Sequence, residues 1–167
     1  MKKYSTGKIT TLALTVTLAL IFSFIESRIP AFVAIPGVKI GLANIAIIFA
    51  LYKLGIKEAI CVSIIRVFLV SILFGSPISL IYSISGAVLS LLTMILLKKL
   101  TPLTEITVSI SGGIMHNVGQ IIAASLMLAT NVVVYYLPFL ILSGTIAGVA
   151  IGTVSALVIK KVKINIK

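Results

Sequence analysis

The sequence predicts an all-α integral membrane protein, a single domain of six transmembrane helices. Three observations lead there. The 167 residues are 60% hydrophobic and only 10% charged, against the roughly 25% charge of an ordinary soluble domain. Mean hydropathy is +1.29. The polar residues gather into short interruptions, and because a bilayer span takes about 20 mainly apolar residues, the chain has room for about six spans and none for a soluble domain.

The interruptions divide the chain into apolar segments at about 9–29, 39–54, 57–74, 77–97, 105–130 and 133–159. Each is expected to be helical, since lipid offers a backbone no hydrogen bonds and the period-2 alternation of a membrane barrel is missing. The first segment follows the basic stretch "MKKYSTGK" as a secretory signal would. Its apolar run exceeds the usual ~7–15 residues and no A-x-A-like site follows, so it reads as a retained first helix. Pro77 and Pro102 stand where helices can start.

Charge predicts the orientation. Lys2, Lys3, Lys8, Lys53, Lys57, Lys98, Lys99, Lys160, Lys161, Lys163 and Lys167 all fall on one side of a six-span chain. The positive-inside rule makes that side cytoplasmic, with both termini in and Pro36 and Asn131 outside. The net charge of +11 is then an orientation signal and an attraction to anionic membrane lipids, and no nucleic-acid partner is needed to explain it. Cys61 is the single cysteine, so no internal disulfide forms and no cysteine cluster holds zinc.

Against that pattern, "ESRIPAFVAIPGVKIGLANI" places Arg28 and Lys39 on the side the other bases avoid. They are either interfacial anchors whose heads reach lipid phosphates, or cations that a loop shaped by Pro30, Pro36 and Gly37 presents to an anionic ligand. Arg66 stands in the middle of the third segment, where an isolated charge is costly, so it must face inward. It either pairs with Glu26 or anchors a carboxylate or phosphate. In "SGGIMHNVGQ", Gly112, His116 and Gln120 recur at i, i+4 and i+8 with Asn117 beside them. These three polar side chains either bind helices together by hydrogen bonds or line a ligand site. Gly144, Gly148 and Gly152 form overlapping G-x-x-x-G units, and Ala13 with Thr17 and Thr15 with Ala19 form weaker small-residue pairs. Both sets suit packing inside the bundle or docking on another membrane protein.

The two signatures "ESRIP…PGVKIGLANI" and "GGIMHNVGQ", in a six-span chain of this size, resemble the heptaprenyl diphosphate synthase component I family, also called Gx transporter. That family is similar in fold to the substrate-binding S-components of energy-coupling-factor vitamin transporters. The resemblance marks Arg28, Pro36, Gly37, Lys39, Gly41, Asn44, His116, Asn117 and Gln120 as motif positions. Its two names imply different functions. Prenyl synthases hold magnesium through Asp-rich motifs, whereas this chain has no Asp and only three dispersed acids, Glu26, Glu58 and Glu105. No G-x-x-x-x-G-K-[ST] loop is present either, so neither prenyl transfer nor ATP hydrolysis is expected of the chain itself, and no cofactor or metal is implied.

Two expectations follow. The leading one is a multi-pass subunit of the cell membrane that captures a small anionic, vitamin-like molecule at the outer face. Its ligand site would draw on Arg28, Lys39, Asn44, Arg66, His116, Asn117 and Gln120. Its first helix, through Ala13, Thr15, Thr17 and Ala19, would dock on a transmembrane coupling protein driven by ATPase subunits. The alternative is a non-catalytic membrane component of a prenyl diphosphate synthase. An importer places its basic pocket outside, whereas cytosolic prenyl diphosphate would meet one inside.

Overall fold

The computed structural model describes residues 6–28 and 41–162. Pro30, Pro36, Gly37 and Lys39, with Lys2, Lys3, Lys163 and Lys167, lie outside the described residues. Among those described, the regular structure is entirely helical. Helix α1 spans Thr6–Arg28 and α2 spans Asn44–Phe49, continued by a π turn over Ala50–Leu54. Helices α3 (Ile56–Phe74), α4 (Pro77–Leu100) and α5 (Glu105–Leu128) follow, and a 3-10 turn over Val132–Tyr136 leads into α6 (Leu137–Lys161).

Local chemistry sets these boundaries. Ser76 caps α4 reciprocally with Ser79, at 3.1 and 3.2 Å, and Pro77 occupies the first turn, where its missing N–H costs nothing. At the other end, α4 runs past its apolar stretch through Lys98 and Lys99 until Thr101, which is extended because Pro102 follows. Thr104 caps α5 by accepting from the Thr107 N–H at 3.3 Å. Helix α2 begins later than its apolar run, since Gly41 has φ +82° and forms a turn closed by the Asn44 N–H on the Gly41 carbonyl at 2.8 Å. Hydroxyls on α1 are satisfied within the helix: Thr10, Thr11, Thr15 and Thr17 each donate to the carbonyl four residues back.

Among the described residues, three helices are long and apolar enough to cross a membrane: Thr6–Arg28, Pro77–Leu100, and the stretch Val132–Lys161. The others differ for physical reasons. Helix α2 with its π turn is short, α3 carries Lys57, Glu58 and Arg66, and α5 carries His116, Asn117 and Gln120. The outside of the bundle is studded with aliphatic and aromatic side chains, Leu126 at 78% and Ile72 at 74% exposure among them. In water such a surface would be an aggregation hazard; against lipid tails it is the expected surface of a membrane protein.

Two packing regimes hold the bundle together. Helices α4, α5 and α6 approach through glycines: a Cβ on Gly148 would stand 2.5 Å from the Ile110 Cα, and one on Gly113 would stand 2.6 Å from the Gly144 carbonyl oxygen. Larger side chains fill the other half, with Ile48, Leu51, Val62 and Val108 fully enclosed beside Ala19 and Ala59. The basic helix ends meet on one side. Lys8 pairs with Glu58 at 2.5 Å, and Lys98 donates to the Leu51 carbonyl at 2.5 Å while lying 4.8 Å from the Tyr52 ring centre. That carbonyl is available because the π turn moves the Gly55 N–H onto Ala50 at 2.9 Å.

Candidate functional site

The polar side chains inside the bundle converge on two adjoining cavities. One is lined by Ser23 and Glu26 of α1, Arg66, Val67 and Val70 of α3, Ser83 of α4 and His116 of α5. The second lies between the start of α2 and the α5/α6 contact, where Gly41, Asn44, Asn117, Gly144 and Gly148 meet His116. His116 therefore stands between them. Each has a volume of about 20 Å³, room for about one water. A small-molecule site is normally ~300–1,000 Å³, so neither cavity has that room in this conformation.

Charge is concentrated in the first cavity. The Glu26 carboxylate accepts the Gly41 N–H, tying the last turn of α1 to the turn before α2. It also interacts electrostatically with Arg66. A carboxylate takes at most two of the five N–H donors that a guanidinium carries in its fixed fork, so an arginine beside one carboxylate keeps donors for another oxyanion. His116 is held by close packing, since a Cβ on Gly86 would fall 2.8 Å from its Cε1. Glu26 lies in the last turn of α1 and Ser83 in the second turn of α4, while Arg66 and His116 are near the middles of their helices. The cavity thus occupies the depth between the middle of the bundle and its lysine-poor end.

The residues singled out from sequence separate into groups. Arg66, His116 and Asn44 line the cavities. Asn117 lines the second cavity but is 5% exposed and donates to the Leu140 carbonyl at 2.7 Å, which joins α5 to α6. Gln120 is half-buried one turn beyond His116 and lines neither cavity. Arg28 is exposed at the end of α1, 5.0 Å from the Phe24 ring centre. That cation–π contact fits an interfacial anchor, and Arg28 lies outside both cavities. Lys39 is outside the described residues. Thr15 and Ala19 are packed within the bundle at 3% and 0% exposure, which leaves Ala13 and Thr17 on the exposed face.

Ser23 and Ser83 are the cavity residues that sequence reasoning missed. Ser23 was within reach, because it shares a helical face with Glu26 at i, i+3. Ser83 was not: two positions along, Ser85 donates to the Gly119 carbonyl at 2.6 Å as helix glue, and nothing local distinguishes the two. Among the described residues, no three His, Cys, Asp or Glu side chains converge on a point that could hold a metal ion.

Fold and site together define a helical membrane protein with a small, charged interior cavity. The chain belongs to the heptaprenyl diphosphate synthase component I family, whose family model matches residues 15–158. Comparison with curated proteins and with solved structures gives no match.

Proposed function

We propose that this chain is the substrate-binding membrane subunit of an energy-coupling-factor-type importer, and that its Arg66–His116 cavity receives a small anion from the outer face of the cell membrane. One observation carries the reading. A guanidinium, a carboxylate, an imidazole and two hydroxyls are gathered at a depth where charge is expensive, and the guanidinium carries more donors than the one carboxylate beside it can take. All six helical segments would sit in the bilayer, the short α2 within the bundle, with the lysine-rich ends cytoplasmic by the positive-inside rule. The cavity then lies in the outer half of the bilayer, with Asn44, Asn117 and Gln120 close by and Arg28 at the nearby end of α1. The exposed Ala13–Thr17 face of α1 would meet the transmembrane coupling protein.

The family's description favours a second reading, a non-catalytic membrane partner of a prenyl diphosphate synthase. The cavity's depth weighs against it, because a cytosolic diphosphate would approach from the lysine-rich end. Purifying the tagged chain gently from its native membranes separates the two. The importer reading expects a transmembrane coupling protein and ATPase subunits to co-purify, and expects Ala13→Phe to release them. Co-purification of a soluble prenyl synthase subunit in their place would contradict it.

A further inference from the structure

The Arg66 cavity has an apolar neighbour. Between α3 and α4 lies a groove of about 370 Å³, lined by Ser63, Val67 and Phe68 on one side and Ala87, Val88 and Leu91 on the other, among further aliphatic side chains. Its size falls in the usual ~300–1,000 Å³ range for small-molecule sites. Val67 lines both the groove and the charged cavity, and Ser83 of the cavity directly precedes Ile84 of the groove. One layer of side chains separates hydrocarbon from guanidinium.

This seam differs from the others in the bundle. Glycines bring α4, α5 and α6 into backbone contact, with Gly86 against the His116 carbonyl, Gly119 against the Ser85 carbonyl and Gly144 against Gly113. Helix α3 contains no glycine, so its side chains hold α4 away. The groove runs from the level of Val67 toward the lysine-rich end. It follows α3 from Phe68 to Ile60, which at 1.5 Å per residue is about 12 Å.

We infer that the α3/α4 seam admits a single-chain anionic amphiphile from the bilayer, its head on Arg66 and His116 and its tail in the groove. The inference rests on reading the Arg66 cavity as an anion site, and it names the class of anion. Charge complementarity selects the occupant: beside Glu26, which takes at most two of its donors, the Arg66 guanidinium still offers N–H groups to an oxyanion, while the groove offers only hydrocarbon contacts and the Ser63 hydroxyl. The tail never leaves an apolar medium. The head exchanges the lipid interface for a preformed fork of donors. The larger groove of about 590 Å³ between α1, α2 and α6 is lined by Thr6, Thr10, Thr11 and Thr15 among apolar side chains, and among the described residues no charged group lines it.

The test uses the full chain in phosphatidylcholine nanodiscs, with dodecyl phosphate bearing a diazirine halfway along its tail as the probe. Cross-links are expected on Val67, Ala87 and Val88. Unlabelled dodecyl phosphate should compete at least about tenfold better than dodecanol or inorganic phosphate, the effect of one charge-assisted contact or of a lost tail. Arg66→Gln and the groove-filling Ala87→Phe should each weaken labelling by about tenfold or more. The cross-link map of the unsubstituted protein stands even if a variant folds poorly. Equal competition by dodecanol would mean a groove holding bulk hydrocarbon and would overturn the inference, as would loss of labelling in phosphatidylglycerol nanodiscs, which would assign the seam to two-chain anionic lipid. Inorganic phosphate competing as well as dodecyl phosphate would remove the tail and leave the anion site standing. Labelling indifferent to Arg66→Gln would remove both.

Discussion

The side-chain amide of Asn117 donates to the Leu140 backbone carbonyl across the α5/α6 contact at 2.7 Å. Its immediate neighbour His116 faces the charged cavity. Successive residues of a helix point about 100° apart, so two adjacent polar side chains serve different purposes, one as scaffold and one at the site.

Asn117→Ala is therefore expected to lower stability by about 0.6–2 kcal/mol, the range for interhelical hydrogen bonds in membranes. Thermal unfolding of the detergent-solubilised protein reads this directly. An unchanged melting temperature would show that the bond contributes nothing.

Lys98 should matter more than its place at a helix end suggests, because it donates to the Leu51 carbonyl that the π turn leaves without its usual helical partner. Lys98→Met strands that carbonyl, at a cost of about 1–3 kcal/mol. Lys99→Met, at an exposed position, should stay within about 0.5 kcal/mol of the parent. Unfolding curves for the pair give the comparison.

Gly148→Val forces a branched side chain onto the Ile110 backbone, where even a Cβ would stand at 2.5 Å. Overpacking of this kind costs about 1–3 kcal/mol. The neighbouring Val149→Ala, on a face 44% exposed, should change stability by no more than about 0.5 kcal/mol. Equal melting temperatures for the two variants would contradict the close α5/α6 packing.

Orientation is open to single-cysteine labelling in intact cells, on a Cys61→Ser background. Asn131→Cys should react with an impermeant reagent and Lys99→Cys should be protected, because lysine-rich ends stay cytoplasmic. The reverse pattern would place the cavity on the cytoplasmic side.

Much of the fold was legible because lipid leaves a chain few choices: apolar runs must be helices, and Pro77 marks where α4 starts, although Pro102 precedes α5, which starts at Glu105 after its Thr104 cap. The start of α2 was less legible, since it depends on the positive φ of Gly41. The π turn depends on Lys98, which arrives from α4. The two small-residue pairs of α1 read as one face, yet Thr15 and Ala19 pack inward while Ala13 and Thr17 point out. Positions two apart differ by about 200° on a helix, so rotation alone already separated them. At the site, Arg66 was legible because a mid-span charge has to face inward. The Glu26 bond to Gly41 was not, since it joins residues 15 apart in the chain, beyond the reach of any helical spacing.

The central claim is that the Arg66 cavity holds an anion, and mass spectrometry of small molecules retained by the gently purified protein tests it most directly. Arg66→Gln alone could strand the Glu26 charge and unfold the chain, so the comparison is with the double variant Glu26→Gln, Arg66→Gln. An anionic compound should leave the native chain at about one per protein on denaturation and be missing from the double variant, while that variant keeps its melting temperature. The same anion at equal yield from both proteins, or no anion from the native chain, would contradict the account.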